Sequence, residues 1–213
     1  MGTDEEDRRP DNSGLRSSTE AAETKLSNLR FAVNKSIRYH SKRQRFFESC
    51  HYVTTALSAV LGASSFCLLY AESVTAAQFT TAIVGAVTTL DLVFGYNRKA
   101  NQYRELKCQF SDLQTAVNDI KINQPDLDEH VRRLGNSRVL IQKHEPTALK
   151  GLALICHNEE CQATRCDDEM YVIPPHIKLL RHFWSFDGWY PVPIRNSNSE
   201  NAFQAAEANS VNS

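Results

Sequence analysis

The feature that most constrains this chain is a long apolar stretch at residues 49–97. No residue from Ser49 to Ala71 carries a formal charge, Glu72 interrupts the run, and the next charged residue is Asp91. A bilayer core about 30 Å thick is crossed by roughly 20 mostly apolar helical residues. Because backbone polar groups in lipid must be satisfied within the element, each crossing is expected to be an α-helix. The stretch therefore predicts a two-pass transmembrane hairpin that turns near residues 70–73.

Basic residues on both flanks of this hairpin predict its orientation, because Lys- and Arg-rich segments stay on the cytoplasmic side. The turn carries only Glu72. We therefore expect an inner (plasma) membrane protein with both termini in the cytoplasm. The side chains expected to contact lipid headgroups are Lys42, Arg43, Arg45, Arg98 and Lys99. The alternative is a buried helical hairpin in a soluble bundle, which the polar composition of the second span would also suit.

Small residues recur at a spacing of four in the first span. Ser58 pairs in this way with Gly62, and Ala59 with Ala63. Small residues at this spacing let helices approach each other closely in lipid. We therefore expect these four residues to serve helix packing.

The second span is the more polar of the two and contains candidate pore-lining residues. Thr81, Gly85 and Thr88 share one helix face, and Asp91 lies about one turn further on. An ionisable residue within a span is a functional hypothesis by default. In an oligomer, these four residues would line a polar pore with a ring of Asp91 carboxylates at its inner mouth. In the alternative, Asp91 reaches the interface or bonds a neighbouring helix, and the threonines bond their own backbone.

Helices are also expected on both sides of the hairpin, so the predicted fold class is all-α. An apolar stripe over residues 22–48, uninterrupted by Pro or Gly, predicts a helix that runs directly into the first span. Residues 98–145 contain the clearest periodicity in the chain, an a/d heptad seam. The seam consists of Tyr103, Leu106, Phe110, Leu113, Val117 and Ile120. Either the N-terminal helix of the same subunit or a neighbouring copy would cover it.

Residues 146–193 combine a Cys- and His-containing helix with an amphipathic aromatic tail. His157 and Cys161 share a helix face and Cys166 follows, which makes these three residues weak candidates for a zinc site. Their spacing is not one of the usual paired Cys-x2-Cys forms, so we expect reduced, packed thiols, no metal and no cofactor. The aromatic tail, with Trp184 and Trp189, would lie either in the membrane interface or on the bundle.

Composition limits the remaining possibilities. The net charge of −1 over 213 residues produces no field that would attract nucleic acid. The polar ends, residues 1–21 and 194–213, have the composition of disordered segments. Because no glycine-rich phosphate loop, HExxH or G-x-S-x-G motif is present, we do not expect an enzyme.

The order of these features resembles a known family. Residues 38–47 form a basic, aromatic approach to the first span, and Cys156-His157-Asn158-Glu159 precedes the aromatic tail. Across about residues 25–190, this layout resembles the SLATT proteins, the SMODS and SLOG-associating two-transmembrane effector domains of bacterial nucleotide-signalling and conflict systems. The resemblance implies a membrane effector that oligomerises and permeabilises the inner membrane when a separately encoded sensor detects infection.

The expected function is therefore that of an anti-phage or conflict effector that forms a homo-oligomeric pore and causes cell death or dormancy. The polar second span and the long flanking helices favour this hypothesis. The alternative is a non-conducting, membrane-anchored adaptor that holds a cytosolic partner. Both hypotheses require the lipid bilayer as a partner, and neither requires catalysis.

Overall fold

The computed structural model describes residues 13–71, 73–122, 124, 126–166 and 169–194, with side chains from Glu20 onward. The helices are α1 (Ser13–Tyr70), α2 (Val74–Phe94), α3 (Tyr96–Asn118), α4 (Leu127–Gln142), α5 (Lys150–Thr164) and α6 (Pro175–Leu180). Two short strands, β1 (Tyr171–Val172) and β2 (Val192–Pro193), pair antiparallel. Apart from this pair, the described chain is helical or connecting segment, which confirms the predicted all-α class.

Helix α1 is the longest element and links the two halves of the molecule. Its 58 residues span about 87 Å at 1.5 Å per residue. It runs without a break from the polar N-terminal region to Tyr70, as the absence of Pro and Gly from residues 22–48 predicts for its entry into the first span, and it continues through Gly62. It begins at Ser13, earlier than the sequence indicates, and Ala22 is already buried. The expected disorder of residues 1–12 and 195–213 concerns segments outside the described residues.

The second half of α1 and the whole of α2 form an antiparallel hairpin, which we call the hairpin. Its second helix ends at Gly95, whose φ of 58° lies in the left-handed region that glycine adopts most readily. The Gly95 N–H donates to the Asp91 carbonyl at 2.8 Å and closes the last turn of α2. Helix α3 then starts at Tyr96, two residues before the expected position.

The first half of α1 packs with α3, α4 and α5 in what we call the bundle. The heptad seam of α3 faces α1, and five of its six residues are buried. One core cluster joins Leu26 and Val33 of α1 to Phe110 and Val117 of α3, and α4 closes it with Val131. The chain's own α1 therefore covers the seam, and no neighbouring copy is needed for this purpose.

A second core cluster lies nearer the hairpin. It joins Tyr39 and Phe47 of α1 to Tyr103 of α3 and to Leu152 and Cys156 of α5. Leu152 and Cys156 are fully buried there. The Cys-containing helix is thus a structural part of the bundle, packed at the level where the chain enters the hairpin.

Candidate functional site: the hairpin and its base

The surface of the hairpin is apolar and exposed. Each of its two helices contains an 18-residue window that is apolar enough to cross a membrane, and only 6% of each window is buried. Phe66, Phe79 and Leu92 are 74%, 69% and 83% exposed. A hairpin inside a soluble bundle would bury most of such a surface. The hairpin is therefore not buried within a single chain, which was the alternative to a transmembrane hairpin. Two helices are therefore long and apolar enough to span a bilayer.

The contact between the two hairpin helices includes polar groups. The hydroxyls of Ser65 and Thr80 are hydrogen-bonded to each other, and Ala77 beside them is buried. Near the bundle, His51 Nδ1 lies 3.3 Å from Asp91 Oδ2, with both side chains about one third exposed. Asp91 therefore faces a neighbouring helix, which was the alternative to pore lining.

The other pore candidates face away from the hairpin contact. Thr81, Gly85 and Thr88 are all exposed. The Thr81 hydroxyl donates to the Ala77 carbonyl at 2.8 Å, and the Thr88 hydroxyl donates to the Val84 carbonyl at 2.9 Å. The two threonine hydroxyls are satisfied by their own helix, so they add little polarity to the outer face. Within one subunit, this face is separate from the Asp91 carboxylate.

Most of the small residues expected to pack helices are also open. Ser58 is half-buried on the α2 side, whereas Ala59, Gly62 and Ala63 are exposed. A Cβ atom added at Gly62 or Gly85 would meet nothing within 4 Å. These glycines therefore do not serve the packing of α1 on α2, and the small-residue face of α1 is free within the subunit.

A cavity of about 390 Å³ lies where the hairpin joins the bundle. It is lined by His51 and Asp91 and, from the start of α3, by Tyr96 and Arg98. The Asp91 Oδ1 atom is buried without a hydrogen-bond partner among the described residues. The His–Asp pair therefore marks the junction between the apolar and polar halves of the molecule.

The expected headgroup contacts divide into two groups. Arg45 and Arg98 are exposed, as a headgroup contact requires. The structure differs from the expectation at Arg43, which is buried. Its guanidinium carbon lies 4.6 Å from the Phe47 ring centroid and 5.2 Å from that of Tyr103. Cation–π contact with two rings holds this charge inside the bundle.

Lys42 and Lys99 are also engaged within the chain. Lys42 Nζ donates to Glu159 Oε1 at 2.8 Å, and Lys99 Nζ lies 5.6 Å from the Phe47 ring centroid. Both side chains are half-buried. The basic row before the first span is therefore partly a set of internal contacts, which its sequence could not distinguish from a surface patch.

The Cys156-His157-Asn158-Glu159 segment and Glu160 dock α5 on α1. Burial raises the pKa of the Cys156 thiol to about 12, and the Glu159 carboxylate adds to the shift, so this thiol is protonated at neutral pH. Asn158 donates to the Tyr171 carbonyl at 2.7 Å and accepts the Tyr171 N–H at 3.0 Å, which holds β1 against α5. The role of this segment is thus structural within the chain.

Glu160 is the most deeply buried charged residue of this contact, at 1% exposure. It accepts hydrogen bonds from Arg38 Nε at 2.7 Å and from Asn34 Nδ2 at 2.8 Å. Asn34 in turn accepts a bond from Gln114 of α3 at 2.7 Å. The polar network therefore connects α3 and α5 to the part of α1 that continues into the hairpin.

A buried histidine makes a separate polar contact in the bundle. His40 is 1% exposed, its Nε2 lies 2.6 Å from Glu145 Oε1, and its ring stacks on Phe110 with a centroid distance of 5.3 Å. Sequence reasoning missed His40, Glu160 and His51 as interacting residues. The available signal was the row Asn34, Arg38 and Lys42 at spacings of four, which marks one polar face of α1.

Two of the three weak metal candidates lie together. The ligand atoms of His157, Cys161 and Glu169 lie within 4.8 Å of one another. Cys166 is not part of this group, because its exposed thiol lies 3.7 Å from the Thr164 carbonyl. A structural zinc site takes four protein ligands, so His157, Cys161 and Glu169 do not complete one by themselves. His157 Nε2 instead donates to the Glu169 carbonyl at 3.0 Å.

Comparison of the chain with protein-family models, with curated proteins and with solved structures gave no match.

Proposed function

We propose that this protein is a membrane effector that inserts its hairpin into the inner membrane, oligomerises and forms a permeabilising pore. The observation that carries the proposal is the exposed apolar surface of the hairpin. Only 6% of the apolar window in each of its two helices is buried. A surface of this kind is covered by lipid, by other copies of the hairpin or by both.

Homo-oligomerisation through the hairpin is supported by its open small-residue faces. Ala59, Gly62 and Ala63 on α1 and Gly85 on α2 are exposed, and neither glycine has a neighbour that would block a close approach. Without a hydrophobic driving force between helices in lipid, such faces are the usual sites of helix association. The seam of α3 takes no part in this assembly, because α1 already covers it.

The biological setting is proposed from the resemblance of residues 25–190 to the SLATT proteins. The proposed setting is a bacterial anti-phage or nucleotide-signalling system, with a separately encoded sensor and with cell death or dormancy as the outcome. Both termini would be cytoplasmic, because the basic residues lie at the bundle end of the hairpin. The bundle is connected to the hairpin by the continuous α1, so a sensor that binds the bundle would transmit a movement to the hairpin.

Leakage from liposomes tests the pore. We expect dye release by the purified protein, and a loss of about tenfold in the Gly62→Leu, Gly85→Leu double variant. Both positions are open within the subunit, so the new side chains would disturb only contacts between subunits. A steric cost of about 1.4 kcal/mol at such a contact corresponds to that tenfold loss.

The matched control is Gly135→Leu in α4, where an added Cβ also meets nothing within 4 Å but the position lies in the bundle. This variant should leak like the wild type. Equal leakage from all three proteins would contradict assembly through the glycine faces, and the absence of leakage under every activating condition would contradict the pore.

The second candidate function is a non-conducting, membrane-anchored adaptor. The observation in its favour is that the polar contacts of Glu160 and His40 hold the bundle on the helix that continues into the hairpin, so a partner bound to the bundle would be held at the membrane. Replacing residues 49–94 with an unrelated two-pass hairpin distinguishes the two functions. An adaptor keeps its activity in cells after this exchange, whereas a pore loses it.

A further inference from the structure

The aromatic tail exposes an unusual amount of apolar side chain. Leu179, Phe183, Trp184 and Tyr190 are 79%, 72%, 68% and 82% exposed, and Leu180 accompanies them at 45%. We call this set the tail surface. Exposed apolar clusters of this kind mark interaction sites on soluble parts of proteins.

The opposite side of the tail is docked on the bundle. Ile177 is fully buried, and a Cβ atom added at Gly151 of α5 would lie 2.9 Å from Ile177 Cγ2 and 3.2 Å from Phe186 Cδ2. Lys150 Nζ donates to the Trp189 carbonyl at 2.6 Å. One side of the tail therefore packs on the bundle, as the second of the two alternatives predicts, and the tail surface points away from the bundle.

The tail docks beside the start of the first span. The His182 ring stacks on Phe46 with a centroid distance of 4.5 Å, and Phe183 meets Phe46 edge-on at 5.2 Å. Arg43 Nη1 donates to the His182 carbonyl at 2.9 Å. Phe46 lies three residues before Ser49, about 5 Å along the helix axis. The tail surface is thus at the level where the apolar stretch begins.

Basic side chains accompany the tail surface. Lys178 is exposed, Arg181 is half-exposed, and Arg45 is exposed on the neighbouring turn of α1. Their charge complements the phosphates of anionic lipids. Trp and Tyr favour the headgroup level of a bilayer, where one part of the ring is apolar and the other is wet. Charge and aromatic content therefore both favour the bilayer interface as the occupant of the tail surface.

We propose that the tail surface is a binding site for the cytoplasmic interface of the bilayer, in which Leu179, Phe183 and Trp184 enter the boundary between acyl chains and headgroups while Lys178 and Arg181 contact lipid phosphates. This inference rests on the membrane insertion contained in the proposed function. It does not rest on conduction, so an adaptor would carry the same site.

The sequence supplies its own reporter, because the chain contains two tryptophans, Trp184 and Trp189, and both lie in the tail. The full chain carrying Trp189→Phe is reconstituted in phosphatidylcholine–phosphatidylglycerol vesicles with bromine atoms at different acyl depths. We expect bromines near the headgroup to quench most of the Trp184 emission, and bromines near the bilayer centre to quench little of it.

The Leu179→Glu, Phe183→Glu double variant in the same background should lose this quenching while the protein stays in the membrane through alkaline extraction. The matched control is Leu140→Glu, which changes an exposed leucine of α4 that is 57% exposed and lies outside the tail. This control should keep the quenching of the parent protein.

Two results would overturn the inference. If bromolipids leave Trp184 unquenched while the protein resists alkaline extraction, the hairpin inserts without the tail. If Trp184 is shielded from both bromolipid and aqueous acrylamide, the tail surface binds a second copy of the chain. Extraction of the parent protein by alkali would instead overturn membrane insertion itself, and with it the proposed function.

Discussion

Glu160 shows how a single charged residue organises this molecule. Its carboxylate is 2% exposed and accepts bonds from Arg38 and Asn34, whereas the Arg38 side chain is 40% exposed. Removing one partner of a buried ion pair leaves the other partner without compensation, which costs more than the pair contributes as a whole. Since α5 carries Glu160 and α1 continues into the hairpin, this contact couples the bundle to the hairpin.

We expect Glu160→Gln to destabilise the bundle by roughly 2–3 kcal/mol, less than the roughly 3–5 kcal/mol typical of a fully buried pair, because Arg38 retains access to water. Thermal or chemical unfolding of the protein in detergent, followed by circular dichroism, measures the change. Glu129→Gln is the matched control, since Glu129 pairs with Arg132 on the surface and such pairs contribute about 0–1 kcal/mol. Equal effects of the two variants would contradict a buried role for Glu160.

Asp91 and His51 make a looser pair at the bundle end of the hairpin, with 3.3 Å between Oδ2 and Nδ1 but without hydrogen-bond geometry. If this pair is structural, removing either side chain leaves the other polar group unsatisfied, so the two losses are not additive. We expect Asp91→Leu and His51→Leu each to lower hairpin stability, and the double variant to recover part of the loss. Strict additivity in a double-mutant cycle, with altered ion selectivity for Asp91→Leu alone, would instead support Asp91 as a pore-lining residue.

At the scale of elements, His182 is one of the contacts that hold the aromatic tail, beside the start of the apolar stretch. Burial lowers the pKa of His182 from its ordinary value of 6.5 to about 4, and the charges of Arg181, Arg43 and Lys42 act in the same direction. The folded tail therefore favours neutral His182, and Arg181 Nε donates to its Nε2 at 3.2 Å. The resulting stabilisation is complete above about 6.5, where the unfolded histidine is also neutral, and is lost as the pH falls toward about 4.

Acidification should accordingly loosen the tail from the bundle. We expect the tryptophan emission of the protein in detergent to shift as the pH falls from about 6.5 to about 4, the two limits set by His182. His182→Phe retains an aromatic ring against Phe46 and removes the titrating group, so this variant should show a flat response in that range. The same shift in the variant would assign the pH dependence to another group.

At the scale of the whole molecule, the bundle is complete within one chain and the hairpin is not. The seam of α3 is buried against α1, whereas the apolar surface of the hairpin is open. Contacts between copies are therefore expected on the hairpin. Ala59, Ala63 and Cys67 lie at successive spacings of four on α1 and are all exposed, so Cys67 continues the small-residue face.

Native cysteines can report this contact. Cys67 lies on the hairpin and Cys108 on the bundle, and both are exposed. Mild oxidation in membranes should give a covalent dimer that disappears in Cys67→Ser and persists in the control Cys108→Ser. Dependence of the dimer on Cys108 instead would place the contact between copies on the bundle.

Part of this organisation was predictable from local patterns. The apolar stretch predicted the hairpin, the absence of Pro and Gly from residues 22–48 predicted that α1 runs directly into it, and the heptad spacing predicted the seam. Length, hydropathy and periodicity are all properties of neighbouring residues. The end of α2 at Gly95 and the passage of α4 through Gly135 were not predicted. Glycine permits both outcomes, and the surrounding contacts select one of them.

The sequence by itself determined that two helices are long and apolar enough to span a membrane and that helices flank them on both sides. Only the tertiary structure decided that α1 covers the seam, that Arg43 lies between aromatic rings, and that Asp91 faces His51 while Thr81 and Thr88 face outward. The physical reason is that a periodic pattern defines the faces of a helix but not its rotation against its neighbours. That rotation depends on contacts between residues far apart in the chain, such as Arg38 with Glu160.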